Sequence, residues 1–247
     1  MARKRHLKNA PIAEALIDFR TKLGAHFHVT ELECLKETLR DRYPSMEERR
    51  RVEGDFKVVE ARLKPTVRDD SVHGYLFRSH DGRNVVQFRE DGFTFNRLSP
   101  YTDWESVSAE ARSLWQLYLA KAPVELVTRI AVRYINQLNI PLPITDFGKY
   151  LASPPRIPDT LPQEVSQFLT RVVVHDRESN AFANITQALQ SSATANCATI
   201  IFDIDVYRLE ESGFDVGEMW TILVQLRDLK NRIFFDSITE ETARLFE

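Results

Sequence analysis

Asp203 and Asp205 stand two residues apart in the run Thr199 to Tyr207. That run alternates apolar and polar residues and reads as a strand, so both carboxylates project from one face. Paired acids can hold Mg²⁺ or divide general-acid and general-base work. His175 and Asp176, expected on a neighbouring strand, would add donors. A solvated antiparallel face explains the same pattern and is preferred, because a metal-dependent nuclease would also need a lysine or further acids close by. A second group is rich in arginine. Arg129 and Arg133 share one face of the central run Leu126 to Leu138, opposite Ile130, Val132 and Tyr134. Arg20, Arg89, Gln87 and Asn96 are expected on the same polar side, with Asp18 and Gln137. Guanidinium is a rigid bidentate donor suited to a carboxylate, a phosphate or a protein loop. Arg129 and Arg133 are therefore the first choice for binding residues.

Other constellations are weaker. His26 and His28 lie near Glu31 and could form a metal pair, but a polar loop is the simpler reading. Cys34 sits between Leu32 and Leu35 in a helical pattern and is expected in the core, while Cys197 falls in a Ser/Thr/Ala-rich loop. Neither belongs to a Cys-x-x-Cys pair. The chain has eight glycines and no Gly-rich phosphate loop, no Gly-x-Ser-x-Gly elbow and no His-x-x-x-His pair. No catalytic residue and no cofactor is expected, and a non-enzyme is favoured.

The elements that must position these residues form two halves. Residues 1–9 carry Arg3, Lys4, Arg5, His6 and Lys8 and read as a flexible basic tail. In residues 10–123, Ala13, Ala15, Ile17 and Phe19 alternate as a strand. Thr30-x-x-Glu33 looks like a capping box for a short helix that ends before Pro44. Glu47 to Arg51 reads as a solvated connector. Strands follow at Phe56 to Leu63, Tyr75 to Arg78, Val85 to Arg89 and Phe93 to Arg97, with Asp-Gly turns between the last three. A helix from Thr102 presents Trp104, Val107, Ala111, Leu114, Trp115 and Tyr118 as an apolar stripe. In residues 124–247 the central strand leads to a short helix near Thr145 to Leu151 and a Pro-rich loop, Ser153 to Pro162. Strands come next at Phe168 to Asp176, Phe182 to Ala188 and Thr199 to Tyr207, then a long helix from Asp215 and a short one from Ser237. The expectation is an α+β fold: two pseudo-repeated strand-helix-three-strand-helix halves, joined as one long curved antiparallel sheet with helices on one face.

Composition narrows the function class. The chain is 43% hydrophobic and 28% charged, ordinary for a globular protein. A net charge of −3 speaks against coating nucleic acid through bulk charge. No apolar run approaches the ~18 residues of a membrane span, and no signal-peptide core follows the basic start, so a cytoplasmic protein is expected.

Four stretches together resemble a sporadically distributed bacterial family of unknown function: Leu7 to Ala15, Phe93 to Leu98 with Tyr101 and Trp104, Arg129 to Asn136, and Ile233 to Thr239. The resemblance implies a patchily inherited bacterial gene, hence a dispensable trait such as defence or a toxin-linked system. It implies no chemistry. Together these readings favour a regulatory protein acting through a protein partner, with a homodimer expected from exposed sheet edges. The rival readings are a small-ligand sensor using the concave sheet face and a nucleic-acid-binding protein.

Overall fold

Period-two alternation sets the centre of the sheet. Ala15, Ile17 and Phe19 of β1 (Ile12–Leu23) stand opposite Tyr134, Val132 and Ile130 of β6 (Val124–Pro141), and all six are buried. The computed structural model describes residues 1–59, 62–190 and 196–247, with side chains described outside 52–70. The remaining strands are β2 (Ser45–Val59), β3 (Arg62–Arg78), β4 (Asn84–Arg89), β5 (Gly92–Leu98), β7 (Phe168–Asp176), β8 (Ala181–Gln190) and β9 (Cys197–Leu209). They form one antiparallel sheet in the order β2-β3-β4-β5-β1-β6-β9-β8-β7. The helices are α1 (Leu35–Leu39), α2 (Trp104–Leu119), α3 (Met219–Ser237) and α4 (Glu240–Arg244).

The two long helices cover one face. Trp115 of α2 packs its ring 4.8 Å from Phe19, and Trp220 of α3 lies 5.8 Å from the same ring. The helices also bridge each other: Arg112 lies over Trp220 at 4.7 Å and Arg227 over Trp104 at 5.4 Å. The buried residues of α2 are the six of the expected stripe. One buried cluster runs through both halves. The α+β class and the single antiparallel sheet thus follow from the alternation and the helical stripes.

Several details differ from expectation. Glu47 to Arg51 is not a connector. It belongs to β2, whose charged side chains sit on an edge strand where water solvates them. Phe56 to Leu63 contributes to two strands, β2 and β3, and residues 60 and 61 lie outside those described. The first half therefore has four strands after its first helix and the second has three.

The caps shift as well. His28, not Thr30, precedes a 3₁₀ turn, with its N–H donating to the Glu31 carboxylate at 3.0 Å. Asp103 caps α2, accepting from Ser106 N–H at 2.6 Å, and Thr239 caps α4. Asp215 accepts from Gly217 N–H at 2.6 Å, and α3 starts only at Met219. Where several capping residues are adjacent, packing decides which one is used. Cys34 is exposed rather than core, because Leu32 and Leu35 take the inward positions around it.

Residues 1–9 are docked, not a free tail. Ala2 and Leu7 are buried, Ala2 N–H donates to Phe235 and Ile238 carbonyls, and Arg5 pairs with Glu240 and Glu247. Lys4 likewise pairs with Asp228, so two of the basic side chains meet acids from residues 228–247. No helix is long and apolar enough to cross a membrane among the described residues.

Candidate functional site

The strand face opposite the helices gathers the polar residues. Asp18 on β1 is its hub. It accepts hydrogen bonds from Arg129 Nη1 at 2.7 Å, Thr94 Oγ1 at 2.7 Å and Arg89 Nη2 at 3.2 Å. Arg129 then reaches across β6 to Asp205, donating to both carboxylate oxygens at 3.0 and 3.1 Å. Arg133, two turns of the pleat away, holds Asp203 with bonds of 2.8 and 2.6 Å. Register explains the reach: Arg133 stands opposite Asp205 and takes the diagonal acid Asp203, while Arg129 stands opposite Leu209 and extends along β9, past Tyr207, to Asp205.

Arg89 and Arg20 extend the network to Asp91 in the β4–β5 turn. Burial pushes the Asp91 carboxyl up, but the Arg89 hydrogen bond and the charges of Arg89, Arg20 and His73 outweigh it and leave it below its ordinary value. Arg133 is held above its usual value by the Asp203 hydrogen bond, partly opposed by burial.

A shallow depression of about 350 Å³ lies over this network and is lined by Arg20, Gln87, Arg89, Arg129 and Arg133 among others. Five of the six expected binding residues thus converge. Asn96 lies off it, bonded to Glu14. The arginines are not open anion receptors, however. Arg20, Arg89, Arg129 and Arg133 each pair with at least one of Asp18, Asp91, Asp203 and Asp205. The face is close to electrically neutral, which disfavours a polyphosphate backbone.

The expected acid pair is on this face, but both acids are held by guanidinium, and Asp205 also accepts from Asn184 at 3.2 Å. A divalent cation would have to displace the guanidinium that each acid already holds. No group of three or more metal-ligating side chains occurs among the described residues. His175 and Asp176 do not neighbour β9. Strand β8 lies between, and Asp176 pairs with Arg232 instead. Glu31 is used in capping, so the His26 and His28 pair lacks it as a third ligand.

Comparison with known proteins gives no matching family model and no match among curated proteins.

Two features were missed from sequence. An aromatic stack crosses the open face: His175 on Phe182 at 4.4 Å, Phe182 on Tyr207 at 5.7 Å, and Arg129 over Tyr207 at 4.7 Å. Tyr207 has the same strand parity as Asp203 and Asp205, which was the available signal. The second is β7 itself. It is an edge strand with Leu169 71% exposed, Val173 57% and Val172 54%. Leu169 and Val173 face the open side, with Arg171 between them, and Val172 and Val174 face the helix side, so exposed aliphatic side chains stand on both faces of β7.

Proposed function

We propose that this chain is a non-enzymatic, cytoplasmic binding protein that engages a protein partner by accepting a strand from it at β7. The exposed aliphatic edge carries this reading. An edge strand carrying Leu169, Val172, Val173 and Val174, with Arg171 as the one charge inside it and Asp176 at its end, offers a row of backbone donors and acceptors, and proteins normally blunt such edges with more charge. The opposite edge, β2, is blunted in that way by Glu47, Glu48, Arg49, Arg50 and Arg51. Strand β7 is not. Strand addition takes its affinity from the main chain and its specificity from alternate side chains. Here Leu169, Val173 and the His175–Phe182 stack would meet one side of the added strand. The neutral arginine–aspartate face beside it suits a mixed polar rim better than a charged polymer. The family resemblance supports placing such a component in a bacterial defence or toxin-linked system.

The test uses tagged full chain expressed in its own host, wild type against Val173→Lys. Val173 is exposed, so the substitution changes stability by less than about 1 kcal/mol. Wild type captures one protein stoichiometrically and Val173→Lys loses it. A second copy of the chain as occupant would appear as a wild-type dimer in sedimentation that Val173→Lys makes monomeric, and would replace the hetero-partner reading. Equal capture by both chains, or none by wild type, overturns the strand-addition reading.

A further inference from the structure

A second cavity lies on the helix side of the sheet, away from β7 and the arginine network. It holds about 510 Å³, enough for a metabolite-sized ligand. Its walls are the N-terminal segment from Lys4 to Ile12, the start of α2, Tyr134 and Asn136 of β6, and α3 from Arg227 to Phe235. Lys230 is the unusual residue there. It is only 7% exposed. Its Nζ lies 3.7 Å from the Tyr134 ring centroid and donates to Asn231 Oδ1 at 2.6 Å, a neutral acceptor. Among the described residues no carboxylate forms an ion pair with it. Beside it the Tyr101 and Tyr134 hydroxyls are 3.2 Å apart.

A buried ammonium with no counter-charge is costly. We propose that this cavity binds a small molecule through a phosphate or carboxylate group, which supplies the missing negative charge to Lys230 and accepts from the Tyr101–Tyr134 hydroxyl pair.

The surrounding charges agree. Arg227 and Lys8 add positive charge to the walls, while Lys4 is turned to Asp228 and Arg5 to Glu240 and Glu247. His6 also lines the cavity. The wall acids are Asp103 and Glu105, and Asp103 is committed to capping α2. Burial pulls Lys230 down to about 7, helped by Arg227 and Lys4 and opposed by Asp228. Burial raises both tyrosines, which keeps their hydroxyls protonated as donors. Burial thus favours the neutral amine, and an anion bound beside Lys230 favours the ammonium, so binding draws in a proton.

The test is calorimetric titration of the full chain with inorganic pyrophosphate and, separately, citrate, at pH 7 in two buffers of different ionisation enthalpy. One probe binds at one per chain, and wild type takes up more protons than Lys230→Met. Lys230→Met weakens binding at least about tenfold, the loss expected for one buried charge-assisted bond. Tyr101→Phe, which keeps the ring, weakens it by a smaller factor and guards against a folding artefact. Binding of pyrophosphate alone assigns a phosphate ligand, and of citrate alone a carboxylate ligand. No binding of either probe at millimolar concentration, or unchanged affinity in Lys230→Met, overturns the proposal. Because Val173 is remote from this cavity, failure here leaves the β7 reading standing, and the reverse also holds.

Discussion

At the scale of single residues, burial of an unpaired amine has a measurable pH signature. An ordinary lysine titrates near 10.5, and Lys230 is drawn down to about 7 because it is buried beside Tyr134 without a counter-ion. Between these values the unfolded chain binds more protons than the folded one, so stability rises with pH across this window. Below about 7 both states carry the charge and the full burial cost remains. Lys230→Met removes that cost. Without ligand, the variant is expected to be more stable than wild type by about 1–4 kcal/mol at pH 6. The gain shrinks steadily towards pH 10.5, which denaturant melts at several pH values would read. A gain independent of pH would mean that the ammonium is paired in solution. The position was partly legible in the sequence. Lys230 falls four residues after Leu226 and four before Phe234, on the buried stripe of α3. Stripe counting passes over it because a lysine is normally assigned to water. Arg129, Arg133 and Asp18 were legible for the opposite reason, since strand parity alone puts them on one face. Their ion pairs were not legible. They depend on β1 and β9 flanking β6, and on diagonal reach between registers.

At the scale of elements, turns and close approaches carry what periodicity cannot. The two Asp-Gly turns look equivalent in sequence but differ in the fold. Gly82 has φ +68° with open space where a Cβ would stand. Gly92 has φ +153°, and a Cβ there would lie 2.1 Å from the Phe19 carbonyl oxygen of β1. Gly82→Ala should cost about 1 kcal/mol, the strain of a left-handed alanine. Gly92→Ala should cost at least about 3 kcal/mol, since strain and a backbone clash add. Chemical denaturation of both variants checks the contrast, and similar losses would mean that β1 and β5 yield easily at this point. The same distinction explains which elements were readable. The buried stripe of α2 was readable because its six positions keep helical spacing, although the helix begins at Trp104 rather than Thr102. Strand β2 was not, because Glu47 to Arg51 has no apolar alternation. Its assignment comes from pairing with β3, Met46 opposite Phe77 and Glu48 opposite Tyr75, which is a long-range fact.

At the scale of the whole molecule, the two ends of the chain meet. Ala2 N–H donates to the Phe235 and Ile238 carbonyls at 3.0 and 2.9 Å, and Asn9 N–H to the Phe246 carbonyl at 3.0 Å. Leu7 is buried between these anchors. The same segment forms one wall of the Lys230 cavity, so its docking and the occupancy of that cavity are physically linked. A terminal segment of this kind can undock without unfolding the sheet. The cost of damaging it is then limited by its own docking free energy, whereas damage to the core is not. Leu7→Ala should therefore lower global stability by only about 1 kcal/mol, a shift of about 2–4 °C in Tm for a chain of this size. Leu114→Ala in α2 also truncates a buried leucine but should cost about 2–5 kcal/mol. Hydrogen exchange separates the two cases further. Leu7→Ala should speed exchange of the Ala2 and Asn9 amides while those of β1 and β6 stay protected. Equal losses of Tm in the two variants, with β1 exchange rising in both, would show that the segment belongs to the cooperative core. Its docking could not then respond to a ligand in the cavity without the sheet responding too.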